Sequence, residues 1–441
     1  MTDSLLDLDA RALAAALRHG PSTVADHLVA VLDRIAALDP QHLAFSQLNP
    51  GASRDAEALD RRPPAEREEL PLFGVPVAIK EELDVAGLVT TLGTSANTGP
   101  AAVDSKVVAR LRAAGAVVVG KTHMPEFGQA PFTDGAWGAT RNPVAPGRSP
   151  GGSSGGSAVA VATRMVPVAI GGDAGGSVRI PSAWCGIVGL KPTRGAVSTA
   201  PHPNLWYDLG TYGPMGRTVD DVELLLGIIA DPTASPRPVD EDRLRVGWTL
   251  GCSLPWITPE PEVAAAVENA ASILASDGHA VERGTVRWRP QPLAYLVQFH
   301  RGVLDEVDRL DDPGRIERRS RQTAAVGRSI PDSVLRWALR DSSRMAADMA
   351  RLFTRLDVLL TPVTPTLPPP TPRLWDRGAP ASMGASTPAI SFTNHWNLAG
   401  NPAVSVPMGR SEEGLPLAVQ VIGAHGADRL VLRVARRLAE A

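Results

Sequence analysis

The sequence predicts an α/β protein in which a helical region separates two stretches of sheet-forming chain. Three observations support this fold class. Between residues 71 and 230, short β-branched runs alternate with amphipathic helical patterns, as in a sheet with crossover helices. Between residues 231 and 350, Arg-rich helical patterns dominate. After residue 350, strand patterns return, so we expect the sheet to be completed by the last part of the chain.

The first 70 residues form a predicted N-terminal helical segment. A stripe of leucines from residue 5 to residue 17 predicts one helix, which Gly20 and Pro21 end. Ser22 is a candidate N-cap for a second helix. The remainder of the segment is polar and predicts a loop and a helix on the surface.

Residues 71–230 form the predicted core. Strands and helices follow each other closely here, and each helical pattern has one apolar face. The predicted elements are strand Val75–Ile79, helix Lys106–Ala114, strand Ala116–Val119, helix Ala158–Thr163, strand Val166–Ile170 and helix Val219–Ala230.

Residues 231–350 are predicted to be a mainly helical inserted or substrate-side region, and residues 351–441 to return to the core sheet. The helical region includes Pro261–Ala275 and Val334–Thr354. The predicted elements of the last part are strands Leu356–Leu360, Ala403–Val406 and Ala418–Ile422 and helix Asp428–Glu440.

Composition narrows the function classes. The chain has 441 residues with 44% hydrophobic content, which suffices for a large core, and a net charge of −3. No basic block is present, so we expect no nucleic-acid partner. The longest apolar stretch, from Ser157 to Ile170, is interrupted by Arg164 and Pro167, so we expect no membrane span. No Cys/His pair has zinc spacing, and we expect neither a metal nor a cofactor.

The two cysteines, Cys185 and Cys252, are interpreted as free thiols in a reducing compartment. The N-terminus has acidic residues and lacks the basic and apolar regions of a signal peptide. We therefore expect a cytoplasmic protein.

Two Gly/Ser clusters, Gly151–Ser157 and Gly171–Ser177, are the first candidate site. An arbitrary cluster of this kind is most often a loop, but here apolar segments flank both. A phosphate-binding loop is disfavoured because no lysine follows at the required position. The pattern G-x-S-x-G occurs twice in the first cluster. A nucleophile elbow needs a preceding strand, however, and the proline-rich residues 142–150 cannot form one.

The remaining interpretation is a relay of two serines and a lysine. Four lysines stand against 40 arginines in the 44 basic residues, and Lys80 ends the apolar run that begins at Gly74. A serine hydroxyl needs a base, and a lysine is a base only when it is neutral, which burial favours. Taken alone, Lys80 is more typical of a solvated strand end. The relay also requires the carboxylates of Glu81 and Glu82 to point away from Lys80.

The stretch from Pro150 to Thr193 resembles the signature of the amidase signature family. The separation 177 − 153 = 24 matches the family's spacing between its two catalytic serines, and the lysine after Gly-Val-Pro-Val-Ala-Ile matches its base. Further similar segments are Arg110–Thr122, Gly213–Val219, Leu359–Pro365 and Asn397–Pro407. Residues 231–350 match only loosely. The resemblance implies the amidase signature fold, a large central mixed β-sheet covered by helices on both faces.

The resemblance also implies a mechanism. Ser177 would be the nucleophile, Ser153 the bridging serine on a cis peptide bond, and Lys80 the base. Amide hydrolysis through an acyl-enzyme would release an acid and ammonia or an amine. No cofactor is implied.

The same resemblance implies the residues around the triad. The backbone N–H groups of Ala174, Gly175, Gly176 and Ser177 would form the oxyanion hole. Ser154 would hydrogen-bond Lys80, and the charges of Asp173 and Arg179 would pair and hold the loop.

Two positions depart from the family pattern. Gly172 stands where threonine is common, and His123 stands where asparagine is common. Neither is expected to touch the triad.

The substrate remains open at this stage beyond a small-molecule amide. Aromatic and other apolar side chains that could line an acyl pocket, or equally belong to the core, are Met124, Phe127, Trp206, Tyr207, Tyr212, His395 and Trp396. The family also includes urea-derivative hydrolases and the glutamine-hydrolysing subunit of the tRNA-dependent amidotransferase. That subunit carries an acidic residue where this chain has the uncharged segment Ser386–Thr393. A homodimer is a further expectation from the family.

Overall fold

The structure is a computed structural model that describes residues 2–202, 205–231, 243–284, 286, 288 and 292–441. Fifteen α-helices lie within these ranges. They are α1 Ala10–His19, α2 Val24–His42, α3 Ala52–Asp60, α4 Pro64–Glu68, α5 Lys106–Ala113, α6 Gly155–Ala162, α7 Arg179–Cys185, α8 Val219–Ile229, α9 Pro261–Ser276, α10 Pro292–Val307, α11 Arg318–Ser329, α12 Asp332–Leu352, α13 Ala379–Ile390, α14 Asn394–Ala399 and α15 Asp428–Ala439.

The same ranges contain 13 β-strands. They are β1 Phe45–Leu48, β2 Pro76–Lys80, β3 Val117–Thr122, β4 Asp134–Gly135, β5 Gly138–Ala139, β6 Val168–Asp173, β7 Val188–Lys191, β8 Thr211–Gly216, β9 Arg245–Trp248, β10 Ala280–Arg283, β11 Val358–Pro362, β12 Ala403–Arg410 and β13 Pro416–Gly423.

Eleven of the strands form one mixed sheet in the order β1-β3-β2-β6-β8-β7-β12-β13-β11-β9-β10. Strand β2 runs parallel to both β3 and β6, and β9 runs parallel to β10 and β11. The strands between these two groups pair antiparallel. The fold is therefore α/β with a large mixed sheet, as predicted.

Helices cover the central strands on both faces. Successive side chains of a strand point to opposite faces, and every residue of β2, β3 and β6 is buried. Such near-continuous apolar runs are typical of strands that are buried on both sides. The central strands β2, β3 and β6 therefore lie inside the core of the protein.

The predicted elements are present, with three differences. Thr23 is the N-cap of α2, since its side chain accepts from the backbone N–H of Asp26, so the assignment of Ser22 was wrong by one residue. The N-terminal segment contributes β1 to the sheet, and residues 231–350 contribute β9 and β10. Each of these strands has only four residues, too few for a clear period of two in the sequence.

Cys185 and Cys252 are both buried and unpaired, as predicted. Among the described helices, none combines the length and the hydropathy that spanning a lipid bilayer requires.

Candidate active site

Two neighbouring parallel strands bring the catalytic candidates together. Lys80 is the last residue of β2, and Asp173 is the last residue of β6. Because parallel strands end at the same edge of a sheet, Lys80 faces the turn that leads from β6 to Ser177 and α7. The edge where β2 and β6 end is therefore the floor of the site.

Lys80 is deeply buried. Its residue is 1% exposed, and its Nζ lies 2.8 Å from Ser153 Oγ and 3.2 Å from the carbonyl oxygen of Gly172. The contact with Gly172 corrects the expectation that this position does not touch the triad. Strand β6 runs beside β2, so the carbonyl of Gly172 projects towards the end of the lysine side chain.

Ser153 and Ser177 lie in adjacent loops that a backbone hydrogen bond connects. The N–H of Ser154 donates to the carbonyl of Ser177 over 3.1 Å, and Ser153 and Ser177 line the same cavity. The peptide bond between Gly152 and Ser153 is cis, as the resemblance implied. Among the described residues, no hydrogen bond joins the hydroxyls of Ser153 and Ser177.

Ser154 does not contact Lys80 in the way that was expected. Its hydroxyl donates to the carbonyl of Gly172 over 3.2 Å and accepts from the N–H of Gly172 over 3.3 Å. Ser154 and Lys80 therefore share an acceptor. The two hydrogen bonds of Ser154 hold the end of β6 in place. They thereby also fix the position of the Gly172 carbonyl, which accepts from Lys80.

A buried ion pair holds the turn that carries Ser177. Arg179 Nε and Nη2 donate to the two carboxylate oxygens of Asp173, each over 2.9 Å, and both side chains have 0% exposure. Burial alone would raise the pKa of Asp173, but the charge and hydrogen bonds of Arg179, with a hydrogen bond from Asn397, hold it well below its ordinary value. Arg179 also donates to Gln420 over 2.6 Å, so the C-terminal strands support the turn.

The backbone of this turn supplies the oxyanion-hole candidates, with one correction. The N–H of Gly176 donates to the Asp173 carboxylate over 2.7 Å, so it is directed away from a substrate. A buried carboxylate takes the nearest donors, and those belong to its own turn. For Ala174, Gly175 and Ser177, the described part of the chain contains no acceptor for the backbone N–H. These three residues remain the candidates.

The two carboxylates after Lys80 behave differently from each other. Glu81 points away, and it contacts Ser46, Thr91 and Lys121 instead. Glu82 Oε1, by contrast, lies 3.1 Å from Lys80 Nζ. The condition that both carboxylates point away from Lys80 is therefore met by Glu81 and is not met by Glu82.

Ser177 and Trp206 lie between two connected cavities. The larger encloses about 640 Å³, part of it open to solvent, and its walls include Tyr295 and Phe299 of α10 and Ile390 of α13. The smaller encloses about 300 Å³ and contains Lys80 and Ser153. We call the larger cavity the chamber. None of the described residues that line the chamber is charged.

Only some of the predicted pocket residues face these cavities. Trp206 lines both, Phe127 lines the smaller one, and Met124 lines a third cavity of about 310 Å³ beside Glu82. Tyr207 instead interacts with Asp305 and Arg301 on α10, and Tyr212 is fully buried in β8.

The prediction that His395 and Trp396 line the pocket was wrong. Both belong to an aromatic cluster with Trp288, and their rings lie 4.8 Å and 5.9 Å from the Trp288 ring. The His395 and Trp396 residues are 1% and 0% exposed. Their position in α14, just before the central strand β12, places them in the core.

Sequence reasoning missed Tyr295, whose side chain lies against the turn. Its hydroxyl lies where a side chain on Gly175 would begin, and burial raises the pKa of Tyr295, so the hydroxyl stays a hydrogen-bond donor. The aromatic residues Tyr295 and Phe299 are spaced by four, so they share one face of α10. That spacing of four was the sequence signal that could have identified the two rings as neighbours. Residues 231–350 resemble the family only loosely, however, so the resemblance did not point to them.

Comparison with known proteins shows the family of this chain. The family model described as Amidase matches residues 26–432. "Putative amidase AmiB2" of Mycobacterium tuberculosis (strain ATCC 25618 / H37Rv) is 39% identical over 453 residues, covering 98% of this chain and 96% of the relative. A glutamyl-tRNA(Gln) amidotransferase subunit of Synechococcus sp. (strain RCC307) is 34% identical, covering 97% of this chain and 96% of the relative.

The fold is also shared with a solved structure. The structure of 6-aminohexanoate cyclic dimer hydrolase superposes with a TM-score of 0.90 at 30% identity, covering 99% of this chain and 97% of that chain. The family model spans nearly the whole sheet, including the ends of β2 and β6. The chain therefore belongs to the amidase signature family and is an amide-hydrolysing enzyme.

Proposed function

We propose that this protein hydrolyses uncharged, predominantly apolar carboxamides through Lys80, Ser153 and Ser177, with an acyl-enzyme on Ser177. The observation that carries the proposal is the 2.8 Å contact between Lys80 Nζ and Ser153 Oγ at a buried strand end. A base within hydrogen-bond reach of a hydroxyl is the geometry that nucleophilic catalysis requires.

In the proposed first step, neutral Lys80 takes the proton of Ser153 while Ser153 takes the proton of Ser177. Ser177 Oγ then attacks the amide carbonyl carbon. The oxygen becomes an oxyanion, which the backbone N–H groups of Ala174, Gly175 and Ser177 would hold. Removal of one such donor typically costs about 2.7–4 kcal/mol of transition-state stabilisation.

In the second step, the C–N bond breaks and the leaving nitrogen receives the proton from Lys80 through Ser153. Ammonia or an amine departs, and Ser177 carries the acyl group as an ester. Water, deprotonated by the same relay, then attacks the ester carbonyl. The acid leaves, and Ser177 regains its proton.

The chamber supports the choice of substrate class. Its walls combine Trp206, Tyr295, Phe299 and Ile390 with small hydroxyl side chains of α13. Binding an apolar group in such a space lowers the free energy, because apolar surface is removed from water. A charged group would lose its hydration there without a compensating partner. We therefore assign the apolar part of the substrate to the chamber.

Labelling with a fluorophosphonate probe, together with hydrolysis assays on a panel of amides, tests the proposal. We expect the probe to attach to Ser177, and Ser177→Ala to abolish both labelling and amide hydrolysis. Ser343→Ala, a change on the exposed face of α12, is the control that keeps both. Undiminished hydrolysis in Ser177→Ala would refute the triad. The panel should contain linear and cyclic amides, ureas and amino-acid amides.

A second candidate is the glutamine-hydrolysing subunit of an amidotransferase, since one relative is named as a subunit of such an enzyme. Glutamine needs partners for its α-amino and α-carboxyl groups. The chamber offers none among its described lining residues, and the Ser386–Thr393 segment contributes only uncharged side chains to it. Glutaminase activity that appears only with added partner subunits would favour this candidate over the first.

A further inference from the structure

The pair of Lys80 and Glu82 is unexpected for a catalytic base. Glu82 Oε1 lies 3.1 Å from Lys80 Nζ, with side-chain exposures of 16% and 1%. The angles are not those of a hydrogen bond, so the contact is one between charges. A carboxylate at this distance stabilises the ammonium form of an amine, and it does so more strongly where water is largely excluded.

Gly172 is the reason that Glu82 can reach Lys80. A β-carbon at position 172 would overlap Glu82 Oε1, so the carboxylate occupies the space that a side chain would take. On the neighbouring strand β8, Tyr212 is the register partner of Gly172. The missing side chain and the carboxylate are therefore two parts of one feature.

Other charged and titratable groups surround the pair from several elements. The β2 strand end and the loop after it contribute Asp84, β3 contributes Lys121, and β6 contributes Asp173. Glu81 of the same loop, His202 of a further loop, Tyr212 of β8 and Glu306 of α10 are the other described groups near the pair. Burial raises the pKa of Glu306, and the charge of Glu82 adds to that rise. The nearest of the acidic groups to Lys80 that the structure records is Glu82.

We propose that Glu82 is a positioning residue for Lys80 that sets the pH at which the triad becomes active, and that it can do so only because position 172 lacks a side chain. The inference rests on the proposed function, in which Lys80 must be neutral. A carboxylate in contact with an amine favours the charged form of the amine, so Glu82 opposes the neutral form of Lys80 that the relay needs. The working range of the enzyme is thereby shifted towards alkaline conditions.

The pH profile of kcat/KM tests this role. In Glu82→Gln we expect the acid limb of the profile to move by about 1–3 pH units to lower pH, because an opposite charge beside the base is removed. Gly172→Ala should move the limb in the same direction, since it displaces the carboxylate without changing residue 82. The double variant should behave like Glu82→Gln alone, because both changes act on one contact. An unmoved limb in both single variants, or a limb at higher pH, would overturn the inference.

The matched control is Asp231→Asn, which removes a carboxylate 2.9 Å from a different lysine, Lys106. We expect its pH profile to equal that of the wild type. A purely structural effect of losing an ion pair would appear as a lower plateau with an unmoved limb, and that result in Glu82→Gln would also contradict the inference.

An NMR titration, which needs no substrate, is the second test of the role of Glu82. The chain has four lysines, so ¹³Cε-lysine NMR gives few signals, and Lys80→Met identifies that of Lys80. In the Ser177→Ala background we expect the Lys80 signal to titrate at lower pH when Glu82 is replaced by Gln. Equal titration midpoints of the Lys80 signal with and without Glu82→Gln would overturn this inference and leave the proposed function standing. Continued hydrolysis by Ser177→Ala would instead overturn the proposed function, and the inference with it.

Discussion

The hydroxyl of Tyr295 occupies the space where a side chain on Gly175 would begin. Gly175 has no left-handed backbone conformation, so alanine is sterically excluded there by this one oxygen rather than by the main chain. The aromatic wall of α10 and the turn that carries Ser177 are therefore in direct contact.

Gly175→Ala should lower kcat/KM by about 10²–10³-fold, because the turn must shift and one oxyanion donor is misplaced. In the double variant with Tyr295→Phe, the oxygen is gone, and ring Cζ is 3.2 Å from the added β-carbon. We expect at least part of the activity to return. Steady-state kinetics and the rate of fluorophosphonate labelling measure this recovery. Equal activity of the single and double variants would contradict the contact.

Arg179→Met should destabilise the fold by about 3–5 kcal/mol, because it leaves the buried carboxylate of Asp173 without its counterion. Urea unfolding measures the change. The control Arg436→Met removes a partly exposed arginine from its contacts with Asp220 and Glu223, and such pairs contribute about 1 kcal/mol or less. Similar losses in the two variants would show that the ion pair does not hold the turn.

The same pair has a defined pH dependence. The pKa of Asp173 is lowered in the folded state, so its stabilising effect is present above the ordinary value of 3.8 and is lost as the pH falls through the lower, folded-state pKa. In Arg179→Met burial acts on the Asp173 carboxyl without that counterion, so the variant should regain stability as the carboxyl takes up a proton on acidification. The difference in unfolding free energy between wild type and Arg179→Met should therefore be largest near neutral pH and narrow as the pH falls towards about 4. A difference that grows over this range would contradict the assignment.

His395→Phe should make the fold more resistant to acid and leave catalysis unchanged. Burial lowers the pKa of His395 to about 3, and neither ring nitrogen has a hydrogen-bond partner among the described residues. The unfolded chain binds this proton below about pH 6.5, so the histidine costs stability as the pH falls from there towards 3. Unfolding midpoints at pH 7 and pH 4.5 measure the effect. A changed KM would mean that His395 contributes to substrate binding after all.

Lys191→Met should stabilise the fold most at low pH. Burial, reinforced by the charge of Arg179, lowers the pKa of Lys191 to about 7 from its ordinary value of 10.5. The unfolded chain therefore holds an extra proton between these values, and the cost of burying the lysine is full below pH 7 and absent above 10.5. Urea unfolding at pH 6 and pH 10 should give the larger gain at pH 6. A gain that is equal at both values would contradict the lowered pKa.

The strand ends and the serine spacing could be predicted from the sequence because they depend on local pattern. Lys80 ends an apolar run, and the signature around Ser153 and Ser177 is long and contiguous. The chamber could not be predicted in the same way, because Tyr295 and Ile390 reach it from helices whose positions depend on tertiary packing. His395 and Trp396 were misassigned for the same reason, since an aromatic residue looks alike in a pocket and in a core.

Glu82 and Gly172 illustrate this limit within the site. Both positions were named from the sequence, Glu82 as a carboxylate two residues after Lys80 and Gly172 as a departure from the pattern of the family that the chain resembles. The sequence separates them by 90 positions. Only the parallel pairing of β2 with β6 brings them side by side, and that pairing decides which of the two glutamates faces Lys80.

The ties between the nucleophile turn and the C-terminal part of the chain also constrain when the enzyme can become active. Arg179 is bound by Asn397 and Gln420, and β12 and β13 lie in the middle of the sheet. During synthesis on the ribosome, Lys80, Ser153 and Ser177 emerge long before these residues do. Until about residue 420 has left the exit tunnel, the turn lacks these anchors, so the growing chain carries the three proposed catalytic residues before their arrangement can be completed.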